Sequence, residues 1–203
     1  MKQKSTNNAL IIFIKNPILG KVKTRLAADI GEEKALQIYK ECIQLTLKEC
    51  TSFPKIETFI FFSDFIEESF ENQDHCFVQK GDDLGEKMKN AFKKMFDLNY
   101  KNVMIIGSDL PQINKKLITN GFNCLQKNDV VIGPSIDGGY YLLAMKNLHD
   151  FLFEDMTWSN SEVFNKTISK LKNNNLSLSL LETHRDLDNF RDLLYFMKKG
   201  YFS

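Results

Sequence analysis

The chain has 203 residues, 43% of them hydrophobic, which is enough for one well-buried core and demands no second domain. With 27 basic and 26 acidic side chains the net charge is +1, so nucleic acid is not favoured as a partner and any attraction for anions has to be local. The four cysteines form no C-x-x-C pair, which disfavours a zinc site or disulfide framework and fits reduced thiols. The apolar run that follows the polar first nine residues is too short for a membrane span, so a cytoplasmic protein is expected.

A first strand is predicted over 10–14, and the stretch after it reads Lys15-Asn16-Pro17-Ile18-Leu19-Gly20-Lys21-Val22-Lys23-Thr24-Arg25-Leu26. It holds four cations and no carboxylate. In an open α/β sheet, ligands bind outside the carboxyl ends of strands, so this loop is either an anion site, most simply for a phosphate chain, or a solvated basic turn. Only three arginines stand against 24 lysines, which singles out Arg25 for its planar, bidentate grip on phosphate oxygens.

Apolar residues at helical spacing place a helix over 31–50. Strands follow over 57–62 and 76–79, the latter leading into Lys80-Gly81-Asp82-Asp83-Leu84-Gly85, then a helix over 86–96. The run 103–106 is apolar without alternation, as expected of a strand covered on both faces, and it ends in Gly107-Ser108-Asp109-Leu110-Pro111. A helix over 115–125 precedes another such strand over 130–134, and Asp137-Gly138-Gly139 opens a further one over 140–145. An aromatic loop with Phe151, Phe153 and Trp158, a helix over 161–172, a strand over 176–181 and a helix over 189–199 complete the chain.

Ten of the fourteen glycines and prolines lie in five short loops after strands, where positive φ or close backbone approach serves a ligand or an ordinary turn. Asp109 arrives at the carboxyl end of a buried strand beside the expected anion site, where a divalent cation removes the repulsion between carboxylate and phosphate; the alternative is a helix N-cap. Asp186 and Asp188 alternate in an extended segment and can face one ion, although Asp188 can equally cap the last helix. Asp82 and Asp83 can also help to hold the ion, although a pair before a helix start ordinarily compensates the helix dipole. Asp137, followed by two glycines and Tyr140, suits recognition of a sugar or acceptor hydroxyl, or a Gly-Gly hairpin turn. Trp158 with its aromatic neighbours is either a lid or core packing.

Taken together, the basic loop with Lys21-Val22-Lys23-Thr24-Arg25-Leu26, Gly81-Asp82-Asp83-Leu84-Gly85-Glu86-Lys87-Met88, Gly107-Ser108-Asp109-Leu110-Pro111, Gly133-Pro134 with Asp137-Gly138-Gly139-Tyr140-Tyr141, Thr157-Trp158-Ser159 and Asp186-Leu187-Asp188 resemble the DUF2064 family, a glycosyltransferase-like branch of the nucleotide-diphospho-sugar transferase superfamily. The phospholactate guanylyltransferases look especially similar. The resemblance implies a single domain over 1–203 with a Rossmann-like GT-A α/β/α sandwich and a mostly parallel central sheet. It also implies nucleotide held by Lys15, Gly20, Lys21, Lys23, Arg25, Gly81, Gly85 and Ser108, with Mg²⁺ or Mn²⁺ on Asp109 and Asp188. Asp137, Gly138, Gly139, Tyr140 and Trp158 would meet the substrate, with Arg25, Lys23 and Asp109 as the catalytic groups. Two departures stand out: the glycine-rich loop of many sugar-nucleotide synthases is reduced to Gly20, and no Asp-x-Asp pair follows the central strand. The activity implied is nucleotidyl transfer from an NTP to a phosphorylated small acceptor with release of pyrophosphate; the alternatives are glycosyl transfer from a nucleotide sugar and a non-catalytic nucleotide-binding module.

Overall fold

Strand β1 (Asn8–Ile14) shows why the chain folds as layers: from Ala9 to Ile12 every side chain is fully buried, so both faces of the strand have to be covered. In the computed structural model, which describes residues 6–51, 53–71 and 73–202, Leu10, Ile12 and Ile14 join one core while Ala9 and Ile11 join another across the sheet. In chain order the remaining elements are α1 (Thr24–Ile30), α2 (Glu32–Cys50), β2 (Glu57–Phe62), β3 (Cys76–Val78), α3 (Leu84–Asp97), β4 (Asn102–Ile106), α4 (Lys115–Lys127), β5 (Val130–Pro134), β6 (Tyr140–Met145), α5 (Val163–Asn173), β7 (Leu178–Leu180) and α6 (Phe190–Lys198). The sheet order is β3-β2-β1-β4-β6-β5-β7. Among the described strands only β6 runs against the rest, pairing antiparallel with both β4 and β5.

Side chains of α1, α2, α4 and α6 fill the first core, and those of α3 and α5 fill the second, giving the α/β/α sandwich expected from the sequence. Three strands, β2, β5 and β6, match their expected limits, and the other expected elements differ by a few residues at their ends. The exception is α1, a seven-residue helix inside what reads as loop. One buried side chain, Leu26, anchors it, and seven residues are too few for a helical period to declare itself.

This topology dictates where a ligand can sit. From β1 the chain winds outward through β2 to β3, while β4 lies on the opposite side of β1, so the order reverses between β1 and β4. A crevice opens at such a reversal, at the carboxyl ends of the strands. Because β6 is antiparallel, its first residue, Tyr140, and the preceding Asp137-Gly138-Gly139 turn reach this same rim. The segment after β7 returns there too: His184 bridges Ser135 in parallel, and the Leu187 amide donates to the Asp109 carbonyl at 2.9 Å.

Candidate functional site

Beyond β4 the chain turns through Gly107, where a Cβ would stand 2.9 Å from Asp109 Oδ1. Glycine therefore leaves the space that the Asp109 carboxylate occupies. From the other side Leu187, fully buried, pins the 185–189 segment to the same turn and leaves its neighbours Asp186 and Asp188 on the cleft wall. Neither Asp109 nor Asp188 is a helix cap. Asn114 caps α4 and Asn189 caps α6, which removes the alternative role that the sequence left open for these two acids.

Between these two carboxylates stands an ammonium group. Lys23 Nζ lies 3.0 Å from Asp109 Oδ2 and 3.0 Å from Asp188 Oδ1, with its side chain only 7% exposed. Burial alone would drive the amine towards neutrality, but the charges of Asp109 and Asp188 and their hydrogen bonds outweigh it, and its pKa lies above the ordinary lysine value. Lys23 sits in the left-handed region (φ 47°, ψ 42°) at the start of α1, a conformation costing a non-glycine residue about 1–2 kcal/mol. Its ammonium also lies 5.7 Å from the ring centre of Tyr39. The Tyr39 hydroxyl accepts from the Lys15 amide at 3.0 Å and exchanges a hydrogen bond with buried Ser108 at 3.0 Å, and burial pushes its pKa up to about 12. Tyr39 thus ties the end of β1 to the end of β4.

Asp186 is the fourth charged group of this cluster. Its Oδ1 is buried and has no hydrogen-bond partner among the described residues. Burial, then the charges of Asp109, Asp137 and Asp188, raise its carboxyl well above the usual range. Asp137 is held differently: its Oδ1 accepts from the Ser135 hydroxyl and from the Gly139 amide, the latter at 3.0 Å. The Asp-Gly-Gly element is therefore both a hairpin turn between β5 and β6 and part of the cleft wall.

The cleft has a volume of about 700 Å³. Of the residues singled out from the sequence, Lys15, Lys23, Arg25, Asp109, Asp137, Gly139, Tyr140, Trp158 and Asp188 line it. Six others do not. Gly20 and Lys21 lie in an exposed turn, Gly20 at φ +73°; Ser108 is buried behind Tyr39; Gly138, at φ +90°, packs on the Ser161 backbone. Gly81 takes φ +136° in the turn before α3, and Asp83 caps that helix by accepting from the Glu86 amide at 2.8 Å. Gly85 packs beneath the Trp158 indole, so Leu84 and Met88 form the cleft wall here.

The Gly85–Trp158 contact yields a first prediction. A Cβ at Gly85 would overlap the indole ring, which stacks on Phe153 with centroids 6.4 Å apart. Gly85→Ala gains up to about 1 kcal/mol of backbone preference within a helix but overpacks a buried contact at a cost of about 1–3 kcal/mol. Net destabilisation in chemical unfolding is expected, with a red shift in the emission of Trp158, the sole tryptophan of the chain. Unchanged emission would show that the indole does not rest on this glycine.

The donor set fits a divalent cation. An ammonium already bridges the two carboxylates, and a buried Asp186 oxygen beside them lacks a donor. Among the described residues no three or more His, Cys, Asp or Glu side chains form a ready cage, so an ion here would be held by Asp109 and Asp188 and would complete its shell with water and phosphate. Among the described residues no cysteine lines the cleft, and burial pushes the Cys42 and Cys50 thiols up to about 12.

A sandwich with its cleft at the β1/β4 reversal, lined by cations on one side and carboxylates on the other, has the architecture of the nucleotide-diphospho-sugar transferases. A protein of Desulfovibrio desulfuricans G20 assigned provisionally to that class superposes with a TM-score of 0.90 and 30% identity, over 96% of this chain and 88% of that one. The chain belongs to the DUF2064 family, uncharacterized proteins conserved in bacteria, whose model matches residues 46–160. That span includes Asp109, Asp137 and Trp158 but neither the basic loop nor Asp188. The 2-phospho-L-lactate guanylyltransferase of Methanocaldococcus vulcanius is 31% identical over 99 residues, which is 47% of this chain and 42% of that protein. The alignment thus spans less than half the length of that curated relative. The 4-diphosphocytidyl-2C-methyl-D-erythritol synthase of Anaerococcus prevotii, 14% identical with a TM-score of 0.63 over 97% of this chain and 96% of that one, shares the fold. Among the described residues no helix is long and apolar enough to cross a membrane.

Proposed function

We propose that this protein is a metal-dependent nucleotidyltransferase, joining the nucleoside monophosphate of an NTP to a phosphorylated small acceptor and releasing pyrophosphate. The observation that carries the reading is the Lys23 ammonium lodged 3.0 Å from both Asp109 and Asp188 at the strand reversal: one cleft offers positive charge for phosphates and paired carboxylates for a cation. In this reading Lys15, Lys23 and Arg25 take the triphosphate. Asp109 and Asp188 hold Mg²⁺ or Mn²⁺, which when bound supplies charge neutralisation at the phosphate oxygens. An acceptor oxygen forms the new bond to the α-phosphorus as the α–β bridging bond breaks, and Arg25 and Lys23 stabilise the charge that accumulates on departing pyrophosphate. Asp137 and Tyr140 orient the acceptor or the ribose, and the Gly138-Gly139 turn holds Asp137 in place. Positioning and electrostatics supply the acceleration, and the reaction needs no covalent intermediate on the protein. The guanylyltransferase relatives support a phosphorylated hydroxy acid as the acceptor class, and the unpaired thiols accord with a cytoplasmic setting.

The experiment is direct. Incubation with each NTP, Mg²⁺ and a panel of small phosphorylated acids is expected to release pyrophosphate. Release of a nucleoside diphosphate from a nucleotide sugar instead would establish glycosyl transfer, the reading favoured by the name of the Desulfovibrio relative. Binding is testable before the acceptor is known. The matching NTP with Mg²⁺ at about 100 times its dissociation constant is expected to stabilise the fold by about 2.7 kcal/mol, or about 5–10 °C in melting temperature. Nucleotide sugars outperforming every NTP in this assay would overturn the assignment of the donor.

A further inference from the structure

The buried carboxylate of Asp192 is one charged group that the proposed chemistry does not use. It lies in the first turn of α6, 5% exposed, where a residue of that kind ordinarily faces water. Part of its role is local: it accepts from the Asn189 amide at 3.1 Å while its own amide donates to Asn189 Oδ1 at 3.2 Å, a capping box. A capping box explains neither its burial nor its two remaining bonds. Asp192 Oδ2 also accepts from the amide of Asp188 at 3.1 Å, and Oδ1 pairs with Arg185 Nη1 at 2.7 Å. Arg185 in turn lies 5.2 Å from the ring centre of Tyr195, one turn further along α6.

One carboxylate therefore grips the chain immediately before Asp186 and again at Asp188. The middle of that span is fixed by the buried Leu187 and its amide bond to the Asp109 carbonyl. Such a clamp is needed because Asp109, Asp137, Asp186 and Asp188 share one cleft and repel one another, and Lys23 is the ammonium that touches two of them. Burying a fifth carboxylate is costly unless it is fully paired, and Asp192 is paired on both oxygens.

We propose that Asp192, together with Arg185, is the positioning device that sets Asp188 opposite Asp109 and so fixes the geometry of the divalent-cation site. The proposal rests on the metal reading of Asp109 and Asp188 given above. It expects a pattern that helix capping by itself does not produce, because loss of a cap lowers stability without moving the carboxylates.

The test is Mn²⁺ titration of the full chain, followed by the electron paramagnetic resonance of the free ion, alongside circular dichroism and melting temperature. Asp192→Asn and Arg185→Met are expected to weaken Mn²⁺ binding about tenfold or more while the fold is kept. Asn189→Ala, which removes the cap but leaves the Arg185–Asp192 pair, is expected to lower the melting temperature and leave Mn²⁺ affinity within about twofold of the original. Should Asp192→Asn fail to fold, Arg185→Met carries the test, since its side chain is 33% exposed and its loss opens little core. Native affinity in Asp192→Asn and Arg185→Met, with loss of binding in Asp188→Asn, would overturn the clamp and leave the metal reading standing. Native affinity in Asp188→Asn as well would overturn the metal reading and the clamp with it.

Discussion

Replacing Lys23 by methionine is expected to reduce turnover by about 10²–10³ while making the ligand-free protein bind Mn²⁺ more tightly than before. These two changes have opposite signs because Lys23 faces two tasks. In the ligand-free cleft its ammonium occupies the space between Asp109 and Asp188, at 3.0 Å from each, and so competes with any divalent ion for the pair. On the proposed reading the same charge serves the phosphates once nucleotide is bound, and removing one preorganised group of this kind costs about 3–4 kcal/mol of transition-state stabilisation. Stability should fall too. Breaking a buried ion pair from one side costs about 3–5 kcal/mol, but the two carboxylates are 36% and 37% exposed, so solvent screening brings the expected loss to about 2 kcal/mol. Mn²⁺ should restore part of that loss in Lys23→Met and little in the unaltered protein. Equal Mn²⁺ affinity in both would show that the ammonium does not contest the site.

Why this lysine matters was only half legible in the sequence. The basic loop after β1 and the acid after β4 are visible because each follows an apolar run with glycine or proline beside it, the pattern of a strand feeding a ligand loop. Their meeting is not visible, because Lys23 lies 86 residues from Asp109 and 165 from Asp188, and only the strand order brings the three together. Asp188 was ambiguous for a different reason. A residue before a helix satisfies the cap rule whether or not it caps, and the neighbouring Asn189 takes that role here. Glycine is the least legible residue of all: Gly107 makes room for a carboxylate, Gly85 for an indole and Gly133 for the Tyr141 ring, yet all three look alike in a sequence. Asp192 was missed because its bonds run to the chain before it, and no spacing rule for helices asks a first-turn acid to hold an extended segment.

Asp109→Asn is expected to abolish turnover, by about 10³ or more, while leaving stability within about 1 kcal/mol of the original or slightly raised. The loss follows from the donor set: a neutral amide is a poor ligand for Mg²⁺, and several kcal/mol of charge stabilisation go with the ion, at about 1.36 kcal/mol per tenfold in rate. The retained stability follows from the surroundings. The amide oxygen that replaces a carboxylate oxygen can still accept from the Lys23 ammonium, and the substitution removes one of four like charges lining the cleft, leaving Asp137, Asp186 and Asp188. A residue whose loss ends activity while stability is kept would be one retained for its chemistry rather than for the fold. Measured by pyrophosphate release and by denaturant unfolding on the same preparation, the two readouts should therefore part company. A variant that keeps its turnover would dismiss Asp109 from the metal site, and one that loses stability by more than about 2 kcal/mol would show that the Lys23 bridge holds the cleft together more than it serves the reaction.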